Sequence, residues 1–463
     1  MSENDTARRI ANLEQELNDF DPVARRRALV ELVSLASNGQ VPLEPETEIA
    51  NMHCHSFFSF NAYGFSPTAL AWLARRRGMR LMGIVDFDSL LGVDEFLDAC
   101  SAVNVRGSAG IETRVHVPEF SKYEINSPGE PGVCYHMGIG FASSLVPEPV
   151  VAILDDMRER ARNRNLGMIE RLNAHLDPVT VDYQKNVLPL TPAGTATERH
   201  IVAAELAAVG KAVPDPQRFW AERLGVDDEV VEQLWEDSPG MQNLVRAKLM
   251  KRGGPAYVRP GQSAFPTVEE FHKLILGCGA LPCAAWLDGT SAGEQRIQEL
   301  LHLFIEKGVV ALNIIPDRNW NIQDPDMRRI KLRNLNRIVD LALQLSLPLN
   351  VGTEMNSFGQ KPVDDFGAPE LKDMRQAFLD GAYLVYGHTV MHRAKGMGYQ
   401  STWARHQLGS RPERNAFYTQ VGRSVSPGSN GRAQLDNVRE GMSPEAVAAA
   451  LEGVQEHAED ENG

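Results

Sequence analysis

The sequence predicts an α/β fold: a parallel sheet or barrel interrupted by an all-helical block. Three observations carry that reading. Strand-like and helix-like segments alternate from about residue 47 to 151 and again from about 265 to 354. Between them, from about 152 to 264, helical periodicity runs almost without strands. At 463 residues the chain can bury a large core and hold more than one unit.

In chain order, residues 8–38 read as a helical pair broken near Asp21-Pro22, with Ile10, Leu13 and Leu17 on one face. A strand leads into His53. Ser66-Pro67 supplies an N-cap and a first-turn proline for a helix over Thr68–Arg77. A buried strand over Leu81–Asp86, a helix near Asp94–Ser101, and strands through Gly110–Val115 and Val133–Phe141 follow. The helical block includes Ala152–Asn173, His200–Val209 and Pro216–Leu224. Thr267-Val-Glu-Glu then forms a capping box. Strand Leu281–Trp286, helix Gly293–Lys307, strand Val309–Ile315, helix Met327–Ser346 and strand Leu347–Glu354 complete the alternation. Beyond about Gly396 the reading is loop-rich, closing on a short helix and an acidic tail. The expected units are 1–46 (helical extension), 47–151 (barrel, first part), 152–264 (helical insertion), 265–393 (barrel, second part) and 394–463 (C-terminal extension).

Composition narrows the function. The chain is 43% hydrophobic and 23% charged, with mean hydropathy -0.28, net charge -14 and pI near 5.4. Six acidic residues and no Lys or Arg lie in Ser443–Gly463, so the rest is only mildly acidic. No basic cluster suits a phosphate backbone, so nucleic acid is not an expected partner. No apolar run approaches the roughly 18 residues of a membrane span. The polar, acidic amino terminus does not resemble a signal peptide. The five scattered cysteines read as reduced thiols, and the expected location is cytoplasmic.

His53 and His55 stand one residue apart at the end of an apolar stretch. In a strand, side chains at i and i+2 share a face, so both imidazoles can meet one ion. Glu112 and Glu354 also fall at carboxyl ends of expected strands, and His136 lies on another. Strand ends converge on one mouth in α/β barrels. Two imidazoles and two carboxylates suit a divalent transition metal in number and charge. Taken singly, a strand-end glutamate is ordinarily solvated, and His136 has the alternative of a hydrogen-bonded core histidine. The ordered set is what points to a metal.

With these residues in place, the chain from about 49 to 390 resembles the PHP (polymerase and histidinol phosphatase) superfamily, most closely its TrpH-like phosphoesterase branch. The resemblance rests on His53-Cys-His55-Ser56 with Ser66-Pro67, Val85-Asp86-Phe87-Asp88, Gly110-Ile-Glu112, Thr197-Glu-Arg199-His200-Ile and Gly352-Thr-Glu354-Met-Asn356. It implies a distorted (β/α)7 barrel and up to three metals that hydrolyse phosphate esters. Several positions depart from the family's pattern. Phe87 replaces a histidine, Trp286 stands where Ala-His-Pro is usual, and Asn61 and Asn356 replace ligands. In the family the His-X-His pair, the third-motif Glu and the final Asp share one ion. Here those are His53, His55, Glu112 and Glu354, so one divalent ion (Mn, Zn or Fe) is expected rather than three.

Polar groups crowd the emptied positions. Expected substrate contacts are Arg199, His200, Trp286, Arg318, Asn319, Asn356 and Lys361; Arg199-His200 opens a helix and suits a phosphate or carboxylate. General acid–base candidates are His136, Asp86, Asp288 and His388. The first functional reading is a metal-dependent hydrolase acting on a phosphate ester of a small, sugar-like molecule. The alternatives are a single-metal lyase or isomerase on a sugar or sugar acid, and a ligand-binding descendant without turnover.

Overall fold

The computed structural model describes residues 3–452. Two helices open the chain, α1 (Glu3–Glu16) and α2 (Pro22–Ser37), the second capped by Asp21 accepting the Val23 N–H. The first part of the sheet follows as β1 (Thr47–Cys54), α3 (Pro67–Arg76), β2 (Met79–Phe87), α4 (Val93–Ala102), β3 (Arg106–His116) and β4 (Val133–Ile139). Five helices intervene: α5 (Glu148–His175), α6 (Glu198–Ala212), α7 (Pro216–Leu224), α8 (Asp228–Leu234) and α9 (Ser238–Val245). The sheet resumes with α10 (Val268–Gly277), β5 (Leu281–Trp286), α11 (Ile297–Glu306), β6 (Ala311–Ile314), α12 (Asp317–Trp320), α13 (Pro325–Gln344) and β7 (Leu349–Val351). The chain then runs through α14 (Arg375–Lys395), α15 (Thr402–Gln407), α16 (Arg411–Ser424), α17 (Gly428–Asp436) and α18 (Pro444–Glu452).

All seven expected strands form, in one sheet with the spatial order of the sequence. β4 alone runs antiparallel to both neighbours, so the sheet is not wholly parallel as its alternation suggested. The reason is local. The segment 117–132 holds a single short 3-10 turn and no crossover helix, which a parallel return requires. The sheet closes on itself at its carboxyl end, where β1 meets the residues after β7. There Glu354 N–H donates to His53 O at 2.7 Å and His55 N–H donates to Glu354 O at 2.8 Å. Gly352 makes this approach possible: a β-carbon there would lie 2.5 Å from His53.

Two separate apolar cores result. The barrel core takes in Leu17, Leu29 and Leu32 of the amino-terminal helices and Leu154 and Met157 of α5. The second core gathers Ile169 and Leu172 from the far half of α5 with Ile201, Val202, Trp220 and Leu249. Helix α5 is therefore the beam joining the helical block to the barrel.

Beyond Gly396 the loop-rich expectation is corrected: α15–α18 occupy this stretch, with Ser410 and Glu413 forming a capping box for α16. The acidic residues after Glu452 lie outside the described residues. Helix α14 packs against α16 through Gly387, whose β-carbon would meet Tyr418 O at 2.1 Å. Among the described residues no helix is long and apolar enough to cross a membrane, and all five cysteines are unbridged.

Candidate metal centre

β1 delivers His53 and His55 to the inside of the mouth, and β3 brings Glu112 opposite. Glu112 Oε2 lies 3.3 Å from His53 Nε2 and 3.2 Å from His55 Nε2. All three side chains are buried, and none of these three atoms has a hydrogen-bond partner. Buried polar atoms are nearly always paired, so three orphans facing one another form an incomplete site. Their spacing is informative. Two ligand atoms each about 2.0–2.1 Å from a tetrahedral zinc lie roughly 3.3–3.4 Å apart. Among the described residues this is the group of His, Cys, Asp and Glu side chains that could hold a metal.

The surrounding hydrogen bonds set the imidazoles for that task. His53 Nδ1 faces Asn313 Oδ1 at 3.1 Å, and the same oxygen accepts from Asn350 Nδ2 at 3.0 Å. An oxygen there makes His53 Nδ1 the protonated nitrogen and leaves Nε2 with its lone pair. His55 Nδ1 lies 3.3 Å from Ser59 Oγ, which donates to Asp86 Oδ1 at 2.7 Å. That hydroxyl proton is committed, so His55 also carries its proton on Nδ1 and presents a bare Nε2. Such outer partners fix tautomer and orientation at metal-ligating histidines.

Charge balance among these side chains is tight. Burial would strip His53 of its proton, but Glu112, with Glu354 behind it, reverses that and raises its pKa. Glu112 is held down to about 2: its own burial opposes the shift, and His53 and His55 outweigh it. The residues therefore fit a divalent cation in donor type, spacing and charge.

Glu354, expected as the fourth ligand, stands outside the three-ligand group. Its carboxylate pairs with Arg318 and accepts from Gln360 Nε2 at 3.4 Å. Glu354 and Met355 both have positive φ, 63° and 55°, a conformation that non-glycine residues adopt at a cost. The bend is imposed by the backbone bonds that close the barrel. Phe87 lies on the inner face, in register with Glu112, and stacks on the His55 ring at 4.6 Å.

The acid–base candidates are spread widely. His136 is removed from the mouth: it pairs in register with Thr113, not Glu112, so it faces outward, where its Nε2 meets His272 Nε2 at 2.8 Å. His388 is likewise removed, buried in α14 with Nε2 donating to Gly140 O and Nδ1 accepting from Tyr399 N–H. Asp86 is saturated by the Ser56 N–H and hydroxyl and by Ser59, so it supports His55 rather than exchanging protons. Asp288 sits on the rim, bound by Thr290 and 3.0 Å from Lys331. Burial raises its pKa, but these bonds prevail and hold it low.

The expected substrate contacts divide likewise. Arg199 donates to Asn243 Oδ1 at 2.6 Å and to Ser357 Oγ at 3.2 Å, and among the described residues no carboxylate pairs with it. Burial and the nearby Arg246 push its pKa down to about 10. His200 closes the α6 capping box, its Nδ1 accepting from Thr197 N–H, and burial holds it down to about 4. Asn319 ties Leu287 O to Ile315 O. Trp286 lies on the outer face of β5, away from the metal ligands. Asn356 accepts from Ser357 Oγ at 3.4 Å, and exposed Lys361 sits over the Trp320 ring at 5.9 Å.

Four residues near the centre escaped the sequence reading: Asn313, Ser59, Arg114 and Tyr135. Arg114 and Tyr135 face each other in register two residues beyond the Glu112–Met137 pair, hence on the same inner face. A signal existed for Asn313 and Asn350, each a polar residue inside a short apolar strand.

Fold and site together define an α/β barrel with a two-histidine, one-carboxylate centre at its mouth. No protein-family model and no curated protein matches the chain. Two solved structures are similar in outline. One is a candidate metal-dependent phosphoesterase from Bifidobacterium adolescentis, with 20% identity, 69% of this chain and 92% of that chain covered, and a TM-score of 0.45. The other is an amidohydrolase from Chromobacterium violaceum with bound sulfate and no metal, with 17% identity, 71% and 96% covered, and a TM-score of 0.45.

Proposed function

We propose that this chain is a metal-dependent hydrolase acting on a phosphate ester of a small polar molecule through one ion held by His53, His55 and Glu112. The observation that carries the proposal is the trio of buried, unpartnered ligand atoms with both histidine tautomers set to receive a cation. A bound divalent ion would supply Lewis acidity and an activated water. Three protein ligands leave coordination positions open, as catalytic sites require. Phe87 against His55 occupies space that a neighbouring ion would need, which favours one ion over several.

The protein's own residues supply the rest. Arg199, a buried cation hydrogen-bonded among the described residues only to neutral groups, is suited to hold the ester's anionic oxygens. The Tyr135 hydroxyl has no hydrogen-bond partner among the described residues, and burial raises its pKa, so it remains a donor at neutral pH. Arg318 neutralises Glu354 and keeps that carboxylate from repelling an anion.

Elemental analysis of the purified chain tests the centre. We expect about one equivalent of divalent metal, lost in His53→Ala and His55→Ala. Two or more tightly held equivalents would refute the single-ion reading. Phosphate release from a panel of sugar phosphates tests the reaction. A panel that stayed flat with Mn, Zn and Mg, beside saturable binding of a sugar acid, would instead favour the lyase or isomerase alternative, or the ligand-binding one if the sugar acid is not converted. Arg199→Ala should raise KM or Kd for the phosphorylated ligand about tenfold while leaving metal content unchanged.

A further inference from the structure

A cavity lies outside the barrel, between the loop after β5 and helices α11 and α13. It measures about 470 Å³, within the range of small-molecule sites. Its buried floor is Trp286, which alternates with the inward-facing Ala285 and Cys283 along β5. Ile297 and Ile338 form buried apolar walls, and Met327 and Ile330 stand partly exposed at the entrance. The Trp286 indole N–H makes no hydrogen bond to the protein among the described residues, so it is available to a ligand in the cavity. Arg333 and Arg337 line the same cavity from consecutive turns of α13. Neither makes an ion pair or a hydrogen bond among the described residues, whereas their neighbours Arg328, Arg329 and Lys331 are all paired.

We propose that this cavity binds a small amphipathic anion: a flat apolar body on the Trp286 floor, with one carboxylate, sulfonate or phosphate held by Arg333 and Arg337. The apolar floor and the two arginines each match one part of such a ligand, while the Glu294 carboxylate, which also lines the cavity, is engaged by the Leu287, Asp288 and Gly289 N–H groups. The indole and the isoleucines remove apolar surface from water. Two guanidiniums on adjacent turns supply charge-assisted donors for one oxyanion. The free indole N–H offers a further donor to an oxygen on the body. The site is separate from the metal centre, because Trp286 and the metal ligands occupy opposite faces of the barrel wall.

The test uses the full chain and anilinonaphthalene sulfonate, a fluorescent amphipathic anion, beside its uncharged analogue phenylnaphthylamine. We expect saturable binding of the sulfonate at one site. The double variant Arg333→Ala/Arg337→Ala, at exposed positions, should weaken it about tenfold and change the neutral dye much less. Trp286→Phe keeps the packing, removes the N–H and should also weaken the sulfonate. His53→Ala should leave it unchanged. The proposal fails if the double arginine variant binds the sulfonate as tightly as the parent, or if the neutral dye binds equally well. Loss of dye binding in His53→Ala would place the dye in the mouth and also refute it.

Discussion

Asn313 shows how much one side chain decides at the centre. Its carbonyl oxygen, steadied by Asn350, holds the His53 proton on Nδ1 and leaves Nε2 open to a cation. Asn313→Leu should lower metal affinity about 10- to 100-fold with the fold intact, the usual range for loss of an outer partner. Asn313→Asp retains an acceptor and should bind metal at least as well as the parent. Isothermal titration with Zn or Mn checks both, and equal affinity in the leucine variant would show that His53 needs no such support. At this scale the sequence was partly legible. His53, His55 and Glu112 stood out by type and position. His136 did not reveal which face of its strand it occupied, and the register of β4, which sets it opposite Thr113 rather than Glu112, turned it outward.

Helix α6 carries a different consequence. Glu205 is buried in the core of the helical block, and neither carboxyl oxygen has a partner. Burial raises its pKa from 4.5 to about 8. The folded state thus holds this proton more tightly than the unfolded state. Its contribution to stability is full below about pH 4.5 and is lost as pH rises through about 8. Glu205→Gln should therefore raise Tm relative to the parent at about pH 9 and match it at about pH 5. A variant no more stable than the parent at the higher pH would mean that the carboxylate finds water or a partner. Helix α14 illustrates a limit of pattern reading. It is buried on nearly every side, so it has no amphipathic stripe, and Gly381 and Gly387 interrupt its propensity. Only tertiary packing explains those glycines: Gly381 lies against the Leu349 backbone of β7, and Gly387 against the Tyr418 backbone of α16.

For the molecule as a whole, the amino-terminal helices belong to the barrel's stability rather than to a detached arm. Arg25 of α2 is buried and forms a bidentate pair with Glu95 of α4, whose Oε1 also accepts from Thr68 Oγ1 at 2.7 Å. Trp72 donates to Glu14 at 2.9 Å. Removing one partner of a buried pair strands the other, so Arg25→Ala should cost about 3 kcal/mol in urea denaturation. A loss below about 0.5 kcal/mol would show that the pair behaves as an exposed one. The helical block is held over the mouth by Thr195 to Phe58 O and by Arg199 to Ser357. These contacts join segments far apart in sequence, and no local pattern announces them.

The sequence by itself determined the α/β alternation, the seven strands, the helical block and three residues of the centre. Each of these is written in local periodicity, caps and residue type, which act over a few positions. Tertiary structure alone decided which face each strand residue shows, where Glu354 spends its charge, and that Trp286 serves an outer cavity rather than the mouth. Those outcomes depend on strand direction, on register and on which distant group meets a side chain first. A linear pattern carries none of that information until the barrel has closed.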